Sequence, residues 1–191
     1  ESATVSMSSI NNEISISGSA RIGGIVGEVD GANLTITNSS NYGTIHGSSL
    51  NVAGIVGLSY QNSNVVINNV SNSGIIKAAG GNLSGIIGAN DSNLTMTSVL
   101  NNGTIAGIDN ASNIGGIMGT NSSSGEATLS NVLNTGNVSA KSDNVGGIVG
   151  RNTGNLIINN SSNTAVVSAS GDNAGGIVGS LSQESYVTIT T

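Results

Sequence analysis

The pentapeptide Gly23-Gly24-Ile25-Val26-Gly27 constrains this chain more than any other feature, because five further copies follow it at an almost fixed interval. They are Ala53-Gly54-Ile55-Val56-Gly57, Ser84-Gly85-Ile86-Ile87-Gly88, Gly115-Gly116-Ile117-Met118-Gly119, Gly146-Gly147-Ile148-Val149-Gly150 and Gly175-Gly176-Ile177-Val178-Gly179. From Gly24 through Gly54, Gly85, Gly116 and Gly147 to Gly176, the steps are 30, 31, 31, 31 and 29 residues. A period that regular marks one unit repeated and stacked, each copy covering the apolar face that its neighbour cannot bury alone. The 191 residues suffice for a single core, so residues 1–191 are read as one repeat domain, a segment of a longer repetitive chain or a stacking filament subunit. The opening Thr4-Val5-Ser6-Met7 and the closing Val187-Thr188-Ile189-Thr190 are the same strand of the repeat without a polar cap, which suits that reading.

Each period divides into three apolar segments. Leu34-Thr35-Ile36-Thr37 alternates as a half-buried strand does; Asn41-Tyr42-Gly43-Thr44-Ile45-His46-Gly47 turns and forms a second strand; Val52 to Gly57 forms a third. The next period repeats the order with Val65-Val66-Ile67-Asn68, Asn72-Ser73-Gly74-Ile75-Ile76-Lys77-Ala78 and Leu83 to Gly88. Ser, Asn, Thr and Gly dominate and no apolar 3.6 period is sustained, so no helix is predicted. The fold class is therefore all-β: a parallel β-solenoid, or β-helix, with three short strands per coil and about six coils of about 30 residues, roughly 29 Å long at about 4.8 Å per coil. Without Phe, Trp or Pro, its core must be narrow and aliphatic, with like stacked on like.

Asn recurs at three corners. One column is Asn12, Asn41, Asn72, Asn101, Asn134 and Asn163, always five residues after an inward aliphatic side chain: Met7, Ile36, Ile67, Met96, Leu129 or Ile158. A second is Asn51, Asn82, Asn113, Asn144 and Asn173, and a third, partly Ser, is Ser9, Asn38, Asn69, Ser98, Asn131 and Asn160. Stacked at the inter-strand spacing, each amide can donate to the next, forming ladders. Gly43, Gly74, Gly103 and Gly136 follow the first column by two residues, as a turn needing positive φ or tight packing requires. The links from Ile105 to Asn113 and from Gly119 to Leu129 carry extra residues, and those corners are expected to bulge outward, where solenoids place function.

Composition removes several functional classes. Fourteen charged residues and a net charge of −6, spread without runs, lack the basic footprint that nucleic-acid binding needs. No apolar run approaches the roughly 20 residues that cross a bilayer, so no membrane insertion is expected. No targeting segment begins at Glu1, and any such segment was removed or lies outside the chain. Cysteine is absent, which rules out disulfides and thiolate metal sites.

The unit Ile-x-Asn-x-x-Asn-x-Gly-x-Ile-x-Gly followed by Gly-Gly-Ile-Val-Gly, clearest in Ile36 to Gly57 and in Met96 to Gly119, resembles the GLUG repeat of bacterial surface proteins, adhesins and the non-catalytic regions of IgA-cleaving metallopeptidases. Many members carry Cys-Tyr after the ladder Asn, where this chain has pairs such as Ser39-Ser40 and Val99-Leu100. The resemblance implies an extracellular or cell-surface module, structural or adhesive, that self-associates or packs on other parts of its parent surface protein, with host or environmental glycans as further partners. It carries over no peptidase activity, since His-Glu-x-x-His is absent and His46 is the only histidine.

The residues themselves give no enzyme and no cofactor. His46 is read as an exposed polar residue on its strand. Asp143 and Asp172 stand on successive coils, about 5 Å apart, and are read as a solvated acidic corner because Ca²⁺ wants six or more oxygens. Thr35, Thr95, Thr128 and Thr188 form an outward column interrupted by Val66 and Ile157 and are read as having no second Thr in step, which weakens an ice-binding alternative. Tyr42, Tyr60 and Tyr186 are read as too few and scattered for a glycan platform. The candidate interaction surface is instead the column Val26, Val56, Ile87, Met118, Val149 and Val178. Two adjacent apolar columns cannot both face inward on a regular strand. With the invariant Ile25, Ile55, Ile86, Ile117, Ile148 and Ile177 inside, the second column would face out as a lateral contact stripe, unless a bend at Gly buries both.

Overall fold

The computed structural model describes residues 2–190 and is a parallel β-solenoid of six coils with no helix among them. Four sheets run its length, one of nine strands and three of six, where the sequence predicted three strands per coil. In the second coil the strands are Asn33–Asn41, Ile45–Gly47, Val52–Ala53 and Val56–Tyr60. The expected third segment is thus split at Gly54–Ile55 into two strands that belong to different sheets. Pairing is parallel and in register, like over like: Ile36 pairs with Met7 and Ile67, and Met96 with Ile67 and Leu129.

The split divides the interior into two cores. One lies between the long sheet and the Val56–Tyr60 sheet and holds Leu34, Ile36, Ile55, Val56 and their stacked equivalents. The other lies between the remaining two sheets and holds Ile45, Val52, Ile76, Leu83 and theirs. The Gly-Gly-Ile-Val-Gly segment is the partition. Its second glycine reaches the first Asn column: a Cβ on Gly24 would sit 2.6 Å from Asn41 Oδ1. Its last glycine lies against corner backbone, where a Cβ on Gly88 would sit 2.9 Å from Val52 N. Backbone packs on backbone there, which only glycine permits. Burial at each inner aliphatic position contributes about 1.5–3 kcal/mol, and Ile36, Ile55, Ile67, Ile86 and Ile117 are wholly buried.

The Asn columns are ladders with distinct duties. In the first, Nδ2 of Asn12, Asn41, Asn72, Asn101 and Asn134 each donates to Oδ1 one coil ahead, at 2.6–2.8 Å. The second proton of Asn41, Asn72, Asn101 and Asn134 goes to the carbonyl two residues on, at 3.0 Å. These side chains are buried from Asn41 to Asn134, and the ladder satisfies them where the backbone turns. The second and third columns sit in the left-handed region, Asn51 at φ 62° and Asn38 at φ 50°, which Asn tolerates. Their amides also stack, but donate one coil back, as Asn82 to Asn51 and Asn69 to Asn38 do.

Gly43, Gly74, Gly103 and Gly136 do not have positive φ. Their constraint is close approach, since a Cβ on Gly103 would sit 2.7 Å from Asn72 Nδ2. The extra residues of the two long links form exposed turns at Asp109–Asn110 and Ser123–Ser124, as expected of corners that project outward. Ala111 N bonds Ile108 O at 3.1 Å and turns Ala111 into the second core, and Gly125 N closes a tight turn on Ser122 O at 2.8 Å.

Candidate functional site

The proposed contact stripe is interior. Val56, Ile87, Met118 and Val149 have no exposed surface, and Val26 and Val178 pack on the same core from the end coils. The cause is the bend at Gly24–Ile25 and its equivalents. Ile25 N and Val26 N both donate to Ile55 O, at 3.1 and 2.9 Å, and Ile117 N and Met118 N both donate to Ile148 O. Consecutive amides pointing the same way abolish the strand alternation, so consecutive side chains enter one core.

The other candidate groups are dispersed. His46 is exposed between Ser17 and Lys77 on neighbouring strands. Asp143 Oδ1 accepts the Asp172 backbone N–H at 2.7 Å, so that carboxylate ties successive coils together. No group of three or more His, Cys, Asp or Glu converges among the described residues. Arg21 pairs with Glu28 at 3.3 Å. The Tyr60 hydroxyl is held above its ordinary range, first by desolvation and then by the Asp30 carboxylate beside it.

What remains is the outer face of the long sheet, where the nine-residue strands present three parallel outward columns. One is Asn33, Asn64, Asn93, Glu126, Asn155 and Tyr186. The next is Thr35, Val66, Thr95, Thr128, Ile157 and Thr188, and the third carries Thr37, Thr97 and Thr190. Thr35, Thr95 and Thr188 therefore each have a second Thr two residues along the strand, contrary to the sequence reading, whereas Thr128 has Ser130 there. A shallow groove of about 620 Å³ runs over this face from Asn93 to Tyr186. Within it the first column stops behaving as a ladder. Asn64 Nδ2 donates to Asn33 Oδ1 at 2.7 Å and Asn93 Nδ2 to Asn64 Oδ1 at 3.0 Å, but Glu126 has no amide to pass on. Asn93, Glu126 and Asn155 are exposed, and among the described residues the side chains of Glu126 and Asn155 and the Oδ1 of Asn93 bond no protein group and face water.

Sequence reasoning also missed a ladder, Asn90, Asn121 and Asn152, fully buried at the far end of the first core and linked at 2.8 Å. Its 31-residue spacing was available as a signal. No protein-family model, no curated protein and no solved structure matches the chain.

Proposed function

We propose that this chain is a non-catalytic structural solenoid of the cell surface or extracellular space: a stalk, an adhesin segment or a filament subunit. The observation that carries the reading is the continuity of the interior. Two aliphatic cores and the first Asn ladder pass from coil to coil in register, so nearly all the sequence regularity serves to hold a rod of fixed cross-section. Each coil contacts its neighbours, and stability grows with coil number. The GLUG resemblance supports the surface location, and it rests on the repeat residues themselves. Its partners are then other copies or other parts of a parent surface protein.

The test is immunolabelling of producing cells with antibody against the 191-residue chain. Labelling of intact cells, with no gain on permeabilisation, is the expected result. Labelling only after permeabilisation overturns the location and with it the stalk and adhesin readings.

A further inference from the structure

We infer that the groove on the outer face of the long sheet binds a neutral polysaccharide laid along the solenoid axis across Asn93, Glu126, Asn155 and Tyr186. The inference goes beyond the structural role and stands on a break in the periodicity. Where the same column is left regular, its amides satisfy one another along Asn93, Asn64 and Asn33. At the next three positions they do not. Glu126 and Tyr186 replace Asn, the groove opens there, and a carboxylate, a whole amide and an amide oxygen are left with bonding capacity. In a chain otherwise this repetitive, a local departure from the rule marks a functional position.

The chemistry selects the ligand. A sugar hydroxyl both donates and accepts. It can give its proton to Glu126 or to Asn93 Oδ1 and accept from Asn155 Nδ2, with the hydroxyls of Thr95 and Thr128 one column away. Tyr186 is 78% exposed and offers a ring face against which the apolar side of a sugar can pack. Adjacent strands place these groups about 4.8 Å apart, a repeating row suited to a repeating polymer. The two strands Glu126–Asn134 and Asn155–Asn159 already have backbone partners on both sides, so a peptide cannot insert between them. An anionic polymer meets Glu126 and a net charge of −6, which disfavours it.

The deciding variant is Glu126→Asn, which restores the column. Asn at 126 can donate to Asn93 Oδ1 and accept from Asn155 Nδ2, so the fold is kept while the free groups are consumed. The assay is affinity electrophoresis of the full chain through native gels cast with dextran, yeast mannan or hydroxyethylcellulose. Retardation in at least one gel, weakened tenfold or more by Glu126→Asn and by Tyr186→Ala at unchanged melting temperature, is the expected outcome. Retardation that both variants retain places binding elsewhere and overturns the inference, as does the absence of retardation in all three gels. Should Glu126→Asn fail to fold, Tyr186→Ala decides alone, because that side chain is solvent-exposed.

Discussion

Replacing Asn72 by Ala removes one rung from the middle of the inner ladder, and the structure sets the size of the effect. Three hydrogen bonds end on that side chain: Asn41 Nδ2 donates to its Oδ1 at 2.7 Å, and its Nδ2 donates to Asn101 Oδ1 at 2.8 Å and to Gly74 O at 3.0 Å. Asn41, Asn72 and Asn101 are all wholly buried, and Ala leaves three polar groups unpaired. Each costs about 1–3 kcal/mol when stranded away from water. With partial relaxation the loss should be about 3–6 kcal/mol, a large share of the 5–15 kcal/mol typical of whole domains. The comparison is Asn102→Ala, an exposed neighbour in the same turn, expected to cost under about 0.5 kcal/mol. Asn62 is a poorer control because it sits at φ 57°, where Ala adds its own conformational penalty. Urea unfolding followed by far-UV circular dichroism reads both. If the two variants lie within about 0.5 kcal/mol of each other, the ladder does not hold the coils together and the argument fails.

Two more outcomes follow from the interior. Ile87→Lys should unfold the central coils as severely as Ile86→Lys, since both side chains have no exposed surface and an unpaired buried charge costs several kcal/mol; a folded Ile87→Lys protein by circular dichroism would restore the outward stripe. Asn101→Asp places a carboxyl where burial raises its folded-state pKa above the unfolded value of about 3.9. The penalty is then full above the folded pKa and vanishes below the unfolded one. The melting-temperature deficit relative to the parent chain should therefore shrink as pH falls from about 7 to about 4, and a deficit independent of pH would refute the buried assignment.

The period, the parallel stacking and the ladders were legible because each depends on residue type recurring at a fixed interval, which the sequence displays directly. The partition was not. Rules for a regular strand assign Ile86 and Ile87 to opposite faces, and only the doubled hydrogen bonding of both amides onto Ile117 O places both inside. The glycines around them are the trace of that bend, yet glycine alone does not say whether it allows positive φ, as at Gly31, or close backbone contact, as at Gly88. The groove escaped notice for the opposite reason. Tyr186 looks isolated in sequence, and only strand register sets it beside Asn155 and that residue beside Glu126. Irregularities in one column become a cluster once the coils are stacked.

The opposed directions of the inner and outer ladders have an electrostatic consequence. Among the described residues, seven Asn–Asn links along the buried columns donate towards the C-terminal end. Seven along the corner and outer columns donate towards the N-terminal end. An α-helix adds its peptide dipoles head to tail and acquires charged poles; here the side-chain amide dipoles oppose one another and cancel along the axis. The Asn ladders therefore give the rod no pole of their own, and they draw an approaching charged molecule towards neither end.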